Sequence, residues 1–177
     1  MTRAYRAKAN KPPFGPAIVR APTRLQIAER GPSINSGILM IPTDRTWFRQ
    51  PGASEKALQD LRAGAEINLP AEYFDLLAYS NGGEGPISVQ PYNFCLDPAE
   101  RSTMRWISKE CEAFFPGFFM FGGTGGGDYI AFDLRGAQPW PVVAIDMTNI
   151  DLPESVMLIA KDFSLFLSLV GIEAANA

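Results

Sequence analysis

Carboxylates are the residues in this chain best suited to acid–base or metal chemistry, and their spacing works against both. Asp128 and Asp133 are five apart on a predicted strand, so alternation points them to opposite faces and they cannot pair directly. Asp146 and Asp151 flank a turn at 147–150 that lacks the Asp/Asn and Gly pattern of a calcium loop. Glu110 and Glu112, two apart on a helix, do not face each other. Asp97 and Glu100 are accounted for as helix-capping residues. Acids from different segments would have to converge for glycosidase-like chemistry, and the sequence leaves that open. The glycine run at 122–127, GGTGGG, invites a phosphate-loop reading. It fails, because no Gly-Lys-Ser/Thr follows, G-x-G-x-x-G fits no register, and Asp128 stands where phosphate favours lysine. The run reads as a sharp corner between strands.

The remaining catalytic options are thin. The chain has no histidine, which removes the usual general base, the commonest zinc ligand and the Ser-His and Cys-His nucleophile pairs. Its two cysteines, Cys95 and Cys111, are well separated, so a zinc site has almost nothing to use. Cys111 falls on an apolar helical stripe, where a buried thiol is expected rather than a disulfide, and a reducing cytoplasm fits. No catalytic residue, metal or cofactor is assigned from the residues.

Charge divides the chain. Residues 1–45 carry eight Lys/Arg against Glu29 and Asp44, a net of +6, whereas residues 46–177 carry eight basic and seventeen acidic side chains, a net of −9. The first part also holds Pro12-Pro13, Gly15-Pro16, Pro22, Gly31-Pro32 and Pro42, without helical or alternating periodicity. It reads as a basic, Pro-rich extension, disordered or loosely docked, ahead of a folded domain over 46–177. It lacks the compact apolar stretch of a secretory signal, so export is not expected. A transit peptide, a nucleic-acid contact, a solvated tail and translated upstream sequence before Met40 are the competing readings. No apolar run approaches the roughly 20 residues of a membrane-spanning helix.

Within the domain, the apolar pattern places the elements. Ser54 caps a helix with Ala57, Leu58 and Leu61 on one face, ending at Gly64. A second helix opens at Pro70, carries Glu72 and Asp75 near its positive end, and stops at Asn81-Gly82-Gly83. Short strands are predicted at 87–90 and 92–96. A helix of about four turns follows, capped by Asp97 with Glu100 reaching back, and striped by Met104, Ile107, Cys111, Phe114 and Phe115. Four strands are predicted at 118–122, 128–134, 142–146 and 156–160, then a helix capped by Asp162. Corners this short do not allow parallel crossovers. The expectation is a single α+β domain, a small and mostly antiparallel sheet with helices packed on one face. Trp140 lies at a proline-bounded hairpin tip, where an exposed aromatic would anchor an interface.

The helix end L-P-x-x-Y-x-x-L-L-x-x-x-N-G-G over 69–83 resembles the hallmark of the SUKH superfamily of fungal cell-wall-synthesis regulators and bacterial immunity proteins. The hairpin GGTGGGDYIAFDL, the strand PVVAID and the closing helix AKDFSLFL are similar to its other landmarks, so the resemblance covers about residues 54–171. It implies a protein-binding role, as an immunity protein capping a toxin (often a nuclease), and no catalytic residues. A basic toxin suits the acidic domain, with Glu84, Asp128, Asp133, Trp140, Asp146 and Asp151 as candidate contacts. A regulatory scaffold for a host enzyme or signalling protein, and a carboxylate-dependent hydrolase, are the alternatives.

Overall fold

A computed structural model describes residues 40–148 and 155–174. Its first half runs β1 (Phe48–Arg49), α1 (Glu55–Ala65), α2 (Ala71–Tyr79), β2 (Gly83–Pro86), β3 (Asn93–Leu96) and α3 (Ala99–Ile107). β4 (Phe118–Gly123), β5 (Asp128–Asp133), β6 (Val142–Asp146), β7 (Val156–Ala160) and α4 (Phe163–Leu169) complete the order. The seven strands among the described residues form one antiparallel meander in chain order, β1 to β7. With helices against the sheet this is the expected α+β fold. None of the helices among the described residues is long and apolar enough to cross a membrane.

Strand alternation splits the apolar residues between two faces. Phe119, Phe121, Ile130, Phe132, Val142 and Ala144 face the helices and join Leu61, Tyr73, Leu76, Leu77, Phe163 and Phe166 in the main core. Phe118, Met120, Ala131, Val143 and Ile145 point the other way and form a smaller cluster with Cys111 and Phe115. The main core reaches back to Ile41, which is buried, while Arg45 donates to the carbonyls of Leu167 and Val170 at 3.0 and 3.1 Å. These residues belong, by charge alone, to the extension. Residues 1–39 lie outside the described part.

Ser54 caps α1 as expected, its Oγ accepting the Ala57 N–H at 3.2 Å. The helix then runs through Gly64 rather than ending there, and Glu66 takes the left-handed turn at φ 55°. Gly64 is instead a packing position, since a Cβ there would meet Ile107 Cδ1 of α3 at 2.7 Å. Pro70 is the residue before the first turn of α2, one position earlier than predicted.

The Asn-Gly-Gly corner does more than stop α2. It opens β2, so the strand predicted at 87–90 lies earlier, at Gly83–Pro86. Beyond it, Ile87 makes only an isolated bridge to Val170 before the chain turns. Gly83 has φ 118°, and a Cβ on it would meet the Phe48 carbonyl oxygen at 2.8 Å and the Trp47 ring at 2.9 Å. Only glycine satisfies both demands. Ser80, fully buried, accepts from Trp47 Nε1 at 3.3 Å and from the Gln50 N–H at 3.0 Å, and donates to the Gly82 carbonyl.

α3 departs most from the sequence pattern. Its cap position is Pro98, and the side chain that satisfies its first turn comes from the end of α2. Asn81 Oδ1 accepts the Ala99 N–H at 2.7 Å, and Asn81 Nδ2 donates to Glu100 Oε2 at 2.9 Å. Asp97 is not a cap. It accepts from Arg105, whose side chain is almost fully buried, and pairs with the exposed Arg101 at 3.2 Å. The helix ends at Ile107, with Lys109 at φ 55°, so the predicted four turns become just over two. Met104, Ile107 and Phe114 from the predicted stripe are exposed, and the buried positions are Ala99, Ser102 and Arg105. Trp106 explains the rotation: its indole packs on Phe119 and its Nε1 donates to the Ala65 carbonyl at 2.9 Å.

Two substitutions separate these roles. Asp97→Ala strands the buried Arg105 guanidinium and should cost about 3 kcal/mol, the scale for breaking a buried ion pair. Asn81→Ala removes a cap and should cost about 1 kcal/mol. Denaturant unfolding of the full chain measures both; equal losses would mean that Arg105 finds another partner.

Candidate functional site

The β5–β6 register sets Asp128 directly opposite Asp146, so two candidate contacts become cross-strand neighbours. Each is already engaged locally. Asp128 Oδ2 accepts the Thr124 hydroxyl at 3.1 Å, and that hydroxyl in turn accepts the Gly126 and Asp128 N–H groups at 3.1 and 3.3 Å. The glycine run is therefore a corner tied down by Thr124, not an anion cradle. Asp146 Oδ1 accepts both the N–H and the hydroxyl of Thr148 at 2.7 Å.

Glu84 is exposed at the same end of the sheet. It pairs with Cys95, Cys95 with Gly123, and Gly123 with Tyr129, the neighbour of Asp128. Three strand spacings put Glu84 about 14 Å from Tyr129, the residue beside Asp128. The Cys95 thiol donates to Glu84 Oε2 at 3.6 Å, and its pKa is pushed up by partial burial and then by the Glu84 charge. Cys95 is thus held as a thiol, and neither it nor the buried Cys111, whose pKa is also raised, chiefly by burial, is primed as a nucleophile.

Asp133 sits at the opposite end of β5, about 17 Å away along the strand. Arg135 binds it through Nε and Nη2, both at 2.8 Å, and lies over the Phe118 ring at 4.5 Å. The Arg135 hydrogen bonds hold the Asp133 carboxyl below the usual carboxylate range. Asp151 lies outside the described residues. Among the described residues no three His, Cys, Asp or Glu side chains gather closely enough to hold a metal ion.

Trp140, on the Asp133 side, is half-buried against the main core rather than projecting from a tip, and its Nε1 donates to the Gly136 carbonyl at 3.1 Å. Its hairpin is fastened to the α1–α2 connection by Gln138 Nε2, which donates to the Asn68 carbonyl at 2.7 Å. Between this hairpin and the first turns of α2 and α4 lies an open groove of about 480 Å³, walled by Pro70, Pro139, Trp140 and Phe163 and edged by Glu72 and Asp162. Sequence reasoning singled out Trp140 as a candidate but not the groove beside it, because Glu72 and Asp162 were each explained by a helix start. Two acids at helix starts near a proline-bounded tryptophan were the available signal.

Among the described residues the arrangement therefore offers two surfaces, an acidic sheet end and an apolar groove with acidic edges. No curated protein matches the chain. The model of the SMI1 / KNR4 family (SUKH-1) matches residues 52–169, from just ahead of α1 to the last residue of α4. That stretch holds both surfaces and most of the chain, which belongs to the SMI1 / KNR4 (SUKH-1) family.

Proposed function

We propose that this chain is an immunity protein, a protein-binding module that occludes a cognate basic toxin of the nuclease class. The observation that carries the reading is the charge imbalance of residues 46–177, eight basic against seventeen acidic side chains, with Glu84, Asp128 and Asp146 at one end of the sheet. A nuclease must be basic enough to hold phosphate, so a surface of this sign attracts it and competes for the same groups. Asp128, Asp146 and Asp151 steer the encounter, and the toxin is blocked by coverage rather than by turnover.

Affinity capture from a producing-cell lysate, with the full chain as bait at low and moderate salt, tests this directly. A stoichiometric basic protein whose toxicity the chain suppresses on co-expression supports it. Capture of a housekeeping enzyme or signalling protein would replace it with the scaffold reading. With the partner in hand, the combined change Asp128→Asn, Asp146→Asn and Asp151→Asn should lower the association rate about tenfold and flatten its salt dependence. Asp146→Asn keeps the Oδ1 that accepts from Thr148. Unchanged association kinetics would remove these three carboxylates from the interface.

A further inference from the structure

We propose that the groove beside Trp140 is the subsite that takes an arginine side chain of the partner; this rests on the protein-binding reading above and names its chemistry. The groove is mostly apolar, and the two charged side chains that line it, Glu72 and Asp162, are both carboxylates. Among the described residues neither has an ion-pair partner. Asp162 commits one oxygen, Oδ1, to the Leu165 N–H at 2.7 Å as the cap of α4.

Charge selects the occupant. The first turns of α2 and α4 border the groove, and each helix start carries roughly +0.5 of partial charge. Two full carboxylates outweigh both, so the local sign is negative and an anionic ligand is repelled. A purely apolar segment would strip water from Glu72 and Asp162 without pairing them, which opposes its binding. A guanidinium meets both demands. Its edge presents donors to carboxylates, while its weakly hydrated faces stack on an indole and on proline rings. A lysine ammonium is compact and strongly hydrated, so it satisfies the acids but leaves the walls of the groove unfilled. At about 480 Å³ the space suits a side chain with its adjoining backbone rather than a folded surface.

Trp140 reports on its own site. The chain has three tryptophans, and Trp47 and Trp106 are placed elsewhere, against Phe94 and Phe119. The full chain is titrated with an acetylated, amidated Gly-Arg-Gly peptide while indole N–H signals are followed by NMR, with Trp140→Phe identifying the resonance. The Trp140 signal is expected to move saturably with a Kd on the order of 1 mM, the range for a single anchored side chain. The lysine peptide should bind at least about fivefold more weakly, and the neutral citrulline peptide should leave the signal in place. Glu72→Gln with Asp162→Asn should weaken arginine binding about tenfold or more, the Asn retaining the α4 cap, with unmoved Trp47 and Trp106 signals reporting an intact fold. An unmoved Trp140 signal at about 20 mM arginine peptide, or an equal response to citrulline, overturns the proposal. A toxin bound equally by the native chain and this double variant overturns the groove and leaves the immunity reading standing. Arginine binding abolished by the double variant, with no toxin captured, supports the groove and sinks only the immunity reading.

Discussion

The phenol of Tyr73 is the point on which the helices and the sheet agree. It is fully buried, with its ring 5.5 to 6.2 Å from those of Phe119, Phe121, Phe132 and Phe163. One side chain on α2 thus meets β4, β5 and α4 at once, mostly edge-on, the arrangement in which ring quadrupoles attract. Its hydroxyl donates to Ser102 Oγ of α3 at 3.2 Å, which satisfies the polar end inside the core and ties in a third helix. Burial pushes the phenol pKa far above its ordinary value, which favours the neutral hydroxyl that donates to Ser102. With Tyr73 fixed, the rotation of α2 is fixed. Glu72 then faces the groove, and Asn81 arrives where α3 begins.

Much of this fold was legible in short-range pattern. α1, α2, α4 and the strands from β4 to β7 lie where periodicity and cap chemistry put them, because each buries a face that the local sequence already encodes. What escaped were decisions taken at long range. β1 is two residues, and β2 is Gly-Glu-Gly-Pro, a sequence with no strand propensity of its own; Trp47 on one side and β3 on the other make it a strand. The stripe expected on α3 is reversed because the Asp97–Arg105 pair and the Trp106 indole claim the inner side. Ionic and indole anchors outweighed two exposed aliphatic side chains, and periodicity counts only the latter.

The candidate surfaces show the same division. Alternation correctly keeps Asp128 and Asp133 apart, but it is silent on register, and register is what brings Asp146 opposite Asp128. The groove draws on three segments, 68–72, 138–140 and 162–164, more than ninety residues from first to last. Its two acids each had a sufficient local explanation, Glu72 as a first-turn acid and Asp162 as a cap. Convergence is a property of the tertiary fold, and no single-segment argument contains it.

Electrostatics then sets what the two surfaces can present. The basic side chains of the domain are largely consumed within it. Arg101 and Arg105 serve Asp97, Arg135 serves Asp133, and Lys56 pairs with Asp60. Arg49 stacks on Tyr79 and Arg62 on Phe74 at 4.3 and 4.2 Å. Positive charge is thereby neutralised or held against aromatic rings, so the outward field is dominated by carboxylates. That field acts in two ways. In the proposed complex, its long-range sum steers the basic partner, whereas contacts at the Glu84–Asp146 end and at the Trp140 groove are felt only at close range. The ends lie about 17 Å apart along β5, roughly two Debye lengths at physiological salt. On that proposal, neutralising one end weakens capture in general but leaves the contact chemistry of the other intact, which separates rate at the sheet end from specificity at the groove.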